Sequence, residues 1–442
     1  MTLEYSKLNH VLRVPLAAEV HSRPFLKLDA PEAITHLAVY RDSEAGPPNG
    51  NALIQQVTLA QFCAHFGVAP PVAGANNFYH DFGRFRLKWE CHTEFATYTF
   101  AAPSREAKSI DEAFAYMPLA HLPQQWLASL AGRLMVAAHV LLERGESSAL
   151  DVQHAFEGSM LVGGSVMQDA QLWTDFAIQS DGFSRFVIRD AGMRAQQAGR
   201  LVQRVLEIET YRMMALLGLP SAQQAGIVLN AVEAELAALA GAMVATDAAP
   251  SAPLDAAGSD QALLDQITRL AARLEKLSLD NSYRFSASKA YFGLVKARIE
   301  ELREVRLEGV PTVEEFMDRR LTPAMNTCDA TAARQDALGR RIANTNDLLR
   351  TRVGIVQEMQ NRQILQSMNA RAAQQLRLQQ SVEGLSVAAI SYYVIGLISY
   401  LSKGAKVLGV PGNPDVMVSV LVPVVAACVW LGLRYMHRRM HA

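Results

Sequence analysis

Two long uncharged runs near the C-terminal end of this chain constrain its fold more than any other feature. Gly384–Ser402 and Val416–Leu433 contain 19 and 18 residues without a charge. As helices they measure roughly 27–28 Å, close to the ~30 Å hydrocarbon core of a bilayer. The alternative is a pair of buried core helices, but the connector Lys403–Asp415 holds three glycines and two prolines that force a turn. We predict a transmembrane hairpin over 384–433.

Positive charge near the two runs predicts their orientation. Three arginines precede the first run, three follow the second, and the connector has only Lys403 and Lys406. The arginines are Arg362, Arg371, Arg377, Arg434, Arg438 and Arg439. Because positively charged flanks stay on the cytoplasmic side, we expect both termini inside the cell, with 434–442 as a basic cytoplasmic tail. Met1–Leu16 is charged and lacks the apolar stretch of a signal peptide, which fits this topology.

The first run has one face of small and hydroxylated residues. Ser391, Ile395, Ser399 and Ser402 lie on this face at helical spacing, and Asn413 lies in the connector that follows. Such a face lets a neighbouring helix approach closely. The same face would suit the wall of a water-filled pore. The sequence leaves helix packing and pore lining open.

The region before the hairpin divides at 245–260, where small residues and two prolines predict a flexible linker. Residues 193–244 are predicted to form a helical extension, and residues 261–383 a stalk of long helices. The stalk begins with apolar residues at heptad spacing, which is typical of a coiled coil. These residues are Leu263, Ile267, Leu270, Leu274 and Leu277. A second long helix is predicted from near Ala330 into the membrane.

Residues 1–192 combine strand and helix patterns. Strands, rich in β-branched and aromatic residues, are predicted at Thr35–Tyr40, Phe85–Phe100, Met160–Val166, Leu172–Ile178 and Phe183–Ile188. Helices are predicted at Gly50–Phe66, Pro123–Glu143 and Ala195–Leu217. Because the later strands follow one another as a meander, we predict an α/β domain with a mainly antiparallel sheet. The fold class is an α+β N-terminal domain followed by a long helical coiled-coil stalk and a C-terminal two-helix transmembrane hairpin.

Composition and motifs exclude several classes of function. Lysine plus arginine (42) balance aspartate plus glutamate (43), so no positive field is available to attract nucleic acid. The four cysteines are isolated from one another, which predicts a reducing compartment and no disulfide framework. The sequence contains no phosphate-binding glycine loop, HExxH or GxSxG motif. We therefore predict that the protein is not an enzyme and has no cofactor.

Two segments nevertheless combine charge, histidine and aromatic residues. The first is EVHSRPF at 19–25. The second contains Glu90, His92 and Glu94, which would share one face of a strand and form a candidate metal site. The alternative is a polar sheet face on which these side chains pair with Arg84, Arg86 and Lys88. We favour the second interpretation.

Several long segments resemble a known family. EVHSRPF, GRFRLKWECHTEFATYTF, DGFSRFVIRDAGMRAQQ and LQQSVEGLSVAAISYYVIGLISYL are similar to the bacterial membrane-anchored proteins of domain of unknown function 3422. The resemblance covers nearly the whole chain and implies a protein anchored in the bacterial inner membrane, without an established activity. The order of domain, stalk, two spans and basic tail more loosely resembles the CorA family of divalent-cation channels. That resemblance implies a homopentamer, but the family's Gly-Met-Asn motif is absent from the connector.

Two functions follow from these predictions. The leading one is a non-enzymatic, membrane-anchored oligomer that presents a cytoplasmic α/β domain to partners. The alternative is a CorA-like ion channel or transporter, with the stalk and first span lining a pore. For both we expect a lipid bilayer and further copies of the chain as partners, and no nucleic acid.

Overall fold

The computed structural model describes residues 10–14, 16–17, 25–41, 50–104, 109–145, 152–156, 160–248, 253–407 and 414–440. The chain divides into two units, each built from two stretches. The first, here called the α/β unit, comprises Met1–Ala240 and Ile267–Asn344. The second, here called the C-terminal unit, comprises Gly241–Gln266 and Thr345–Ala442.

One mixed sheet forms the centre of the α/β unit. The described strands are β1 Glu32–Tyr40, β2 Asn77–Asp81, β3 Arg86–Cys91, β4 Phe95–Pro103, β5 Arg133–Arg144, β6 Val162–Val166, β7 Ala170–Ile178, β8 Ser184–Asp190 and β9 Val305–Arg306. Their spatial order is β2-β3-β4-β1-β5-β8-β7-β6-β9. Every pairing among these described strands is antiparallel except that of β5 with β8. The meander predicted for the later strands is present as β6, β7 and β8.

Helices cover both faces of this sheet. The helices are α1 Gly50–His65, α2 Ile110–Phe114, α3 Gln124–Ala128, α4 Ala195–Leu216, α5 Gly218–Ala248, α6 Pro253–Leu302, α7 Val313–Val407 and α8 Pro414–Met440. On one face, α4, α6 and the start of α7 pack in a core that includes Val140, Leu201 and Val295. On the other face, α1 and α3 pack around Leu59 and Trp89. The helices predicted at 50–66 and 195–217 are confirmed as α1 and α4.

The alternation predicted within β3 is confirmed and separates the two faces of the sheet. Leu87 and Trp89 are fully buried in the core beneath α1 and α3. Lys88 and Glu90 point to the opposite face, toward α4. Because successive strand residues point to opposite sides, this one strand supplies an apolar core on one face and a polar surface on the other.

The helix predicted at Pro123–Glu143 is wrong beyond its first turn. α3 ends at Ala128, and residues 133–144 form β5, which lies between β1 and β8. Val140 belongs to the core on one face of the sheet, and its neighbour Leu141 belongs to a separate cluster on the other. A central strand buried on both faces has no polar alternation, so its apolar run cannot be distinguished from a buried helix by periodicity.

The strand predicted at Phe85–Phe100 is two strands, β3 and β4, joined by a tight turn. The His92 N–H donates to the Phe95 carbonyl at 2.8 Å and closes this turn. Its residues, His92 to Glu94, include no glycine, proline, asparagine or aspartate. The usual turn signals are therefore missing from the sequence, and the two strands look like one.

Four of the five heptad residues of the predicted stalk, all except Leu277, are buried within the single chain. Leu270 and Leu274 are buried, and a Cβ built on Gly339 of α7 would lie 4.0 Å from Leu274. Ion pairs also join α5, α6 and α7 within the α/β unit: Arg273–Glu235 at 2.8 Å, Lys289–Asp329 at 3.5 Å, and Arg334–Glu233. A coiled coil between subunits would therefore need another face of these helices.

The predicted linker at 245–260 is helical at both of its ends. α5 continues to Ala248 and α6 begins at Pro253, while residues 249–252 lie outside the described chain. Alanine has the highest helix propensity, so an alanine-rich stretch can extend two helices even without apolar residues to bury. The next helix, α7, begins at Val313 rather than near Ala330 and contains Pro323.

Candidate functional site

A cavity of about 480 Å³ lies between the sheet and helices α4 and α6. Its floor is formed by β1, β3 and β4, and its walls by α4, α6 and the segment 25–28. All of its lining residues belong to the α/β unit. The volume is in the range of pockets that hold small molecules. We take this cavity as the candidate functional site.

The floor of the cavity is formed by polar residues aligned across three strands. Lys88 of β3 lies opposite Thr99 of β4, and Thr99 lies opposite His36 of β1. In the adjacent row, Glu90 lies opposite Thr97. All five residues line the cavity. The register of the sheet therefore assembles one polar surface from His36 and four residues that follow it by more than fifty positions in sequence.

His36 is the most deeply buried ionisable residue of this floor. Its two ring nitrogens lie 2.8 Å from the Thr99 hydroxyl and 3.1 Å from the Thr210 hydroxyl. Burial, helped by the charges of Lys88 and His92, lowers the pKa of His36 from 6.5 to about 3. The ring is therefore neutral near neutral pH, with one nitrogen donating and the other accepting. A histidine with so low a pKa is a poor general base, so we assign it a hydrogen-bonding role.

A continuous series of polar contacts leads from the floor to α4. The Lys88 ammonium lies 3.1 Å from the Glu90 carboxylate and donates to the Gln203 side-chain oxygen at 2.9 Å. Gln203 in turn donates to Glu207 at 2.7 Å. The side chains of Lys88 and Glu90 are only 7% and 14% exposed. This pair is consequently shielded from most of the screening that weakens surface ion pairs.

The series continues from α4 to α6. Arg298 pairs with Glu207 and also donates to Glu301 at 2.8 Å. Arg204 donates to the other oxygen of Glu301 at 2.7 Å. The cavity lining thus contains three cations and three carboxylates, all paired with one another, apart from its two histidines.

Apolar residues complete the lining of the cavity. They are Phe25, Leu26, Leu28, Phe95, Val202 and Leu206. Here α4 approaches the segment 25–28 very closely, because the Leu28 N–H donates to the Ala195 carbonyl at 3.1 Å. A Cβ at Gly199 would lie only 1.7 Å from the Leu26 carbonyl oxygen. Glycine at this position therefore allows the backbone contact that forms this wall.

The three metal-site candidates have separate surroundings. β3 ends at Cys91, so Glu90, His92 and Glu94 do not share one strand. Glu90 pairs with Lys88, the His92 ring stacks on Phe95 at 4.4 Å, and Glu94 pairs with Arg284 at 2.7 Å. Among the described residues, no three His, Cys, Asp or Glu side chains are arranged to hold a metal ion. Of the EVHSRPF segment, only Phe25 is described, and it lines the cavity.

Sequence reasoning missed most of the cavity. It identified the polar face of β3 with Lys88 and Glu90, and it drew attention to His92. It did not associate them with His36, with the charged residues of α4 or with those of α6. The only available signal was the spacing of Gln203 with Glu207 and of Arg298 with Glu301, which is typical of paired side chains on one helix face.

The C-terminal unit exposes long apolar helices. Two helical stretches of the described chain are long and apolar enough to cross a membrane: Ala195–Ala245, which comprises α4 and most of α5 and lies mainly in the α/β unit, and Val313–Leu401 of α7. A shorter apolar stretch, Val418–Gly432, lies in α8. The first of these contributes Leu201 and Val205 to the core of the α/β unit, so length and composition do not by themselves identify a span. The predicted spans 384–402 and 416–433 lie in α7 and α8.

The serine face of the first predicted span is less exposed than the rest of this helix. Ser391 is 7% exposed and its hydroxyl has no hydrogen-bond partner in the described part of the chain. Ile395 and Ser399 are half-buried. By contrast, Tyr393 is 71% exposed. In α8, Val425 is likewise buried. The side chain of Ser402 and the whole of Asn413 lie outside the described residues.

Comparison with known proteins gives one family and one structural match. The family described as "Protein of unknown function (DUF3422)" matches residues 8–440. No curated protein matches the chain. A solved structure described as "structure of the full-length CmaX protein" shares 11% sequence identity and covers 70% of this chain and 91% of its own, at a TM-score of 0.17. That TM-score is too low to carry an argument, and these comparisons do not show the looser resemblance to the CorA family.

Proposed function

Because the chain belongs to the DUF3422 family, whose description assigns no activity, we propose a function from the molecule itself: a non-enzymatic, membrane-anchored oligomer. In this proposal, the helices over 384–402 and 416–433 cross the bacterial inner membrane. They hold the α/β unit on the cytoplasmic side. The observation that carries the proposal is the exposed apolar surface of α7 and α8.

The magnitude of this exposure favours a bilayer over water. The large apolar side chains of 384–402 and 416–433 that are more than half exposed are Leu385, Tyr392, Tyr393, Leu397, Tyr400, Leu401, Val416, Val420, Val424 and Leu431. Burying one such side chain is worth about 1.5–3 kcal/mol. Transfer of ten such side chains from water into lipid would therefore favour the membrane by more than the stability of a typical domain.

The residues that flank the second span support its placement. The Arg434 guanidinium lies 4.9 Å from the centre of the Trp430 ring. Tryptophan and arginine are typical anchors at the boundary between lipid tails and cytoplasm. The arginines on both sides of the hairpin favour cytoplasmic termini for the same reason.

The proposed contact between copies of the chain lies in α7, before the first predicted span. Ile364, Leu365, Met368 and Leu376 lie within one helical face and are each more than half exposed. No acidic residue occurs from Met359 to Val382. A second copy of the chain could cover this face without burying a carboxylate.

The partly covered serine face supports packing between the two spans more than a CorA-like pore. Among the side chains that the structure describes, each span has one buried residue, Ser391 and Val425, although most large apolar side chains of the two spans are exposed. A residue of an exposed helix can be buried in a single chain only by another part of that chain. A pore-lining residue would instead face water.

Membrane anchoring is tested with a pair of matched arginine substitutions. Leu397 and Leu348 both lie in α7 and are 64% and 62% exposed, but only Leu397 lies in a predicted span. An arginine at the centre of a span costs roughly 3 kcal/mol of insertion free energy, about a hundredfold in partition. We expect the wild type and Leu348→Arg to stay in the membrane pellet after alkaline carbonate. Leu397→Arg combined with Val424→Arg should be released or degraded.

Three results would contradict this proposal. Recovery of the wild-type chain in the soluble fraction without detergent would exclude the anchor. Activity of a reporter that works only in the periplasm, fused after Ala442, would reverse the topology. A mass of one chain for the detergent-solubilised protein would exclude the oligomer.

A further inference from the structure

The cavity of the α/β unit has a property that membrane anchoring does not explain. One side carries the alternating charges Glu90, Lys88, Glu207, Arg298, Glu301 and Arg204, with Gln203 between Lys88 and Glu207. The rest of the lining includes apolar side chains. Lys88 and Glu90, at one end of this series, are 7% and 14% exposed, whereas Arg204 and Glu301, at the other end, are 21% and 41% exposed. The arrangement is typical of a site with a few placed polar groups and an apolar wall.

The balance of charge restricts the ligand. Each cation of the lining is paired with a carboxylate, so a ligand with net charge either displaces one partner of a pair or adds an uncompensated charge beside it. Lys88 and Glu90 are 7% and 14% exposed, so water cannot fully replace a lost partner. Binding of a ligand that carries only a negative charge or only a positive charge is therefore disfavoured.

A zwitterion avoids this problem. Its carboxylate can bind the Lys88 ammonium and its ammonium can bind the Glu90 carboxylate, so both charges of the broken pair regain a partner. The two protein groups are 3.1 Å apart, which suits ligand charges carried on adjacent carbon atoms. Gln203 contacts Lys88 and can reorient to donate to the ligand carboxylate.

The apolar wall selects what the zwitterion carries. Phe95 lies at the end of the floor near Glu90, and Phe25 and Leu206 line the same cavity. A hydrophobic substituent next to the charged atoms would displace water from these side chains, at a gain proportional to its buried area. We infer that the cavity binds a small zwitterion with an apolar side group, of the chemical class of the hydrophobic α-amino acids.

Three probes that share a phenyl group distinguish binding of a zwitterion from binding of a single charge or of the phenyl group alone. L-Phenylalanine is the zwitterion, hydrocinnamate lacks only its ammonium, and phenethylamine lacks only its carboxylate. Binding to the full chain in detergent is measured by titration calorimetry at neutral pH, with L-leucine as a second zwitterion. We expect L-phenylalanine to bind at least tenfold more tightly than either analogue, a difference of about 1.4 kcal/mol or more.

Charge-changing variants test the named residues. Lys88→Met leaves the lining with an excess carboxylate and should reverse the preference toward phenethylamine. Glu90→Gln leaves an excess ammonium and should reverse it toward hydrocinnamate. The matched controls are Lys289→Met and Glu235→Gln, which remove one partner of an exposed ion pair outside the cavity and should keep the wild-type order.

The outcome does not depend on the folding of any one variant, because the wild-type order of the probes is itself a test. Absence of binding by both L-phenylalanine and L-leucine would overturn the inference. Tighter wild-type binding of hydrocinnamate or phenethylamine would also overturn it. An unchanged order in both folded cavity variants would show that Lys88 and Glu90 do not bind the ligand charges.

Discussion

The ion pair between Arg284 and Glu94 gives a stability prediction that can be worked out from the structure. Arg284 lies on α6, and Glu94 lies in the turn between β3 and β4, 190 positions away. The guanidinium donates to both carboxylate oxygens, at 2.7 and 3.2 Å. The two side chains are 12% and 8% exposed. The pair therefore joins α6 to the turn between β3 and β4 at a site that is largely shielded from water.

Replacement of Arg284 by methionine keeps a long apolar stem but leaves a buried carboxylate without its cation. Removal of one partner of a buried pair costs about 3–5 kcal/mol, because the remaining charge loses both its solvation and its partner. The double variant Arg284→Met with Glu94→Gln should recover much of this loss. Tyr291 is also hydrogen-bonded to the Glu94 carboxylate. Burial, followed by the charge of Glu94, raises the pKa of Tyr291.

A matched exposed pair provides the control. Arg273 and Glu235 lie 2.8 Å apart, but their side chains are 45% and 52% exposed. Arg273→Met should cost only about 0–1 kcal/mol, because exposed pairs are screened by water and salt. The comparison holds the chemistry of the substitution constant and changes only the burial of the pair.

The free energy of unfolding is best followed by tryptophan fluorescence in urea. Three of the four tryptophans, Trp89, Trp126 and Trp173, are buried in the α/β unit, and the fourth, Trp430, lies in α8. A Trp430→Phe background therefore makes the signal specific for the α/β unit. If Arg284→Met and Arg273→Met lower the free energy of unfolding by the same amount, burial of the Arg284–Glu94 pair does not have the role assigned here.

Two further predictions concern His36 and Gly199. The low pKa of His36, about 3 against 6.5 when unfolded, means that only the unfolded chain gains this proton as pH falls. His36 should thus lower stability by about 1.4 kcal/mol per pH unit below pH 6.5, or about 2 kcal/mol by pH 5, and His36→Asn should flatten the measured dependence. An equal slope in wild type and variant would refute this assignment. Gly199→Ala should cost at least about 1–3 kcal/mol in urea unfolding, since its Cβ would meet the Leu26 carbonyl at 1.7 Å. The control Gly226→Ala, with no atom within 4 Å, should stabilise α5 by about 0.5–1 kcal/mol, and equal effects of the two substitutions would contradict the close contact.

Local periodicity in the sequence determined much of the secondary structure. The helices α1 and α4 and the meander of β6, β7 and β8 lie where the pattern of apolar residues predicts them. The two faces of β3 also follow from the sequence, because Leu87 and Trp89 alternate with Lys88 and Glu90. These features depend on neighbours within one turn of helix or two residues of strand, which a sequence displays directly.

Only the tertiary structure decided which elements meet. β5 looks like a helix in the sequence because its apolar residues are covered on both faces by elements distant along the chain. The heptad residues Leu270 and Leu274 suggest a partner subunit, but both are already buried in the single chain, and Leu274 lies next to Gly339 of α7. The cavity joins His36, Lys88 and Arg298, which no local pattern associates. The periodicity of apolar residues indicates which side of a helix or strand is buried. Which other element packs against that side is determined by long-range packing and charge pairing.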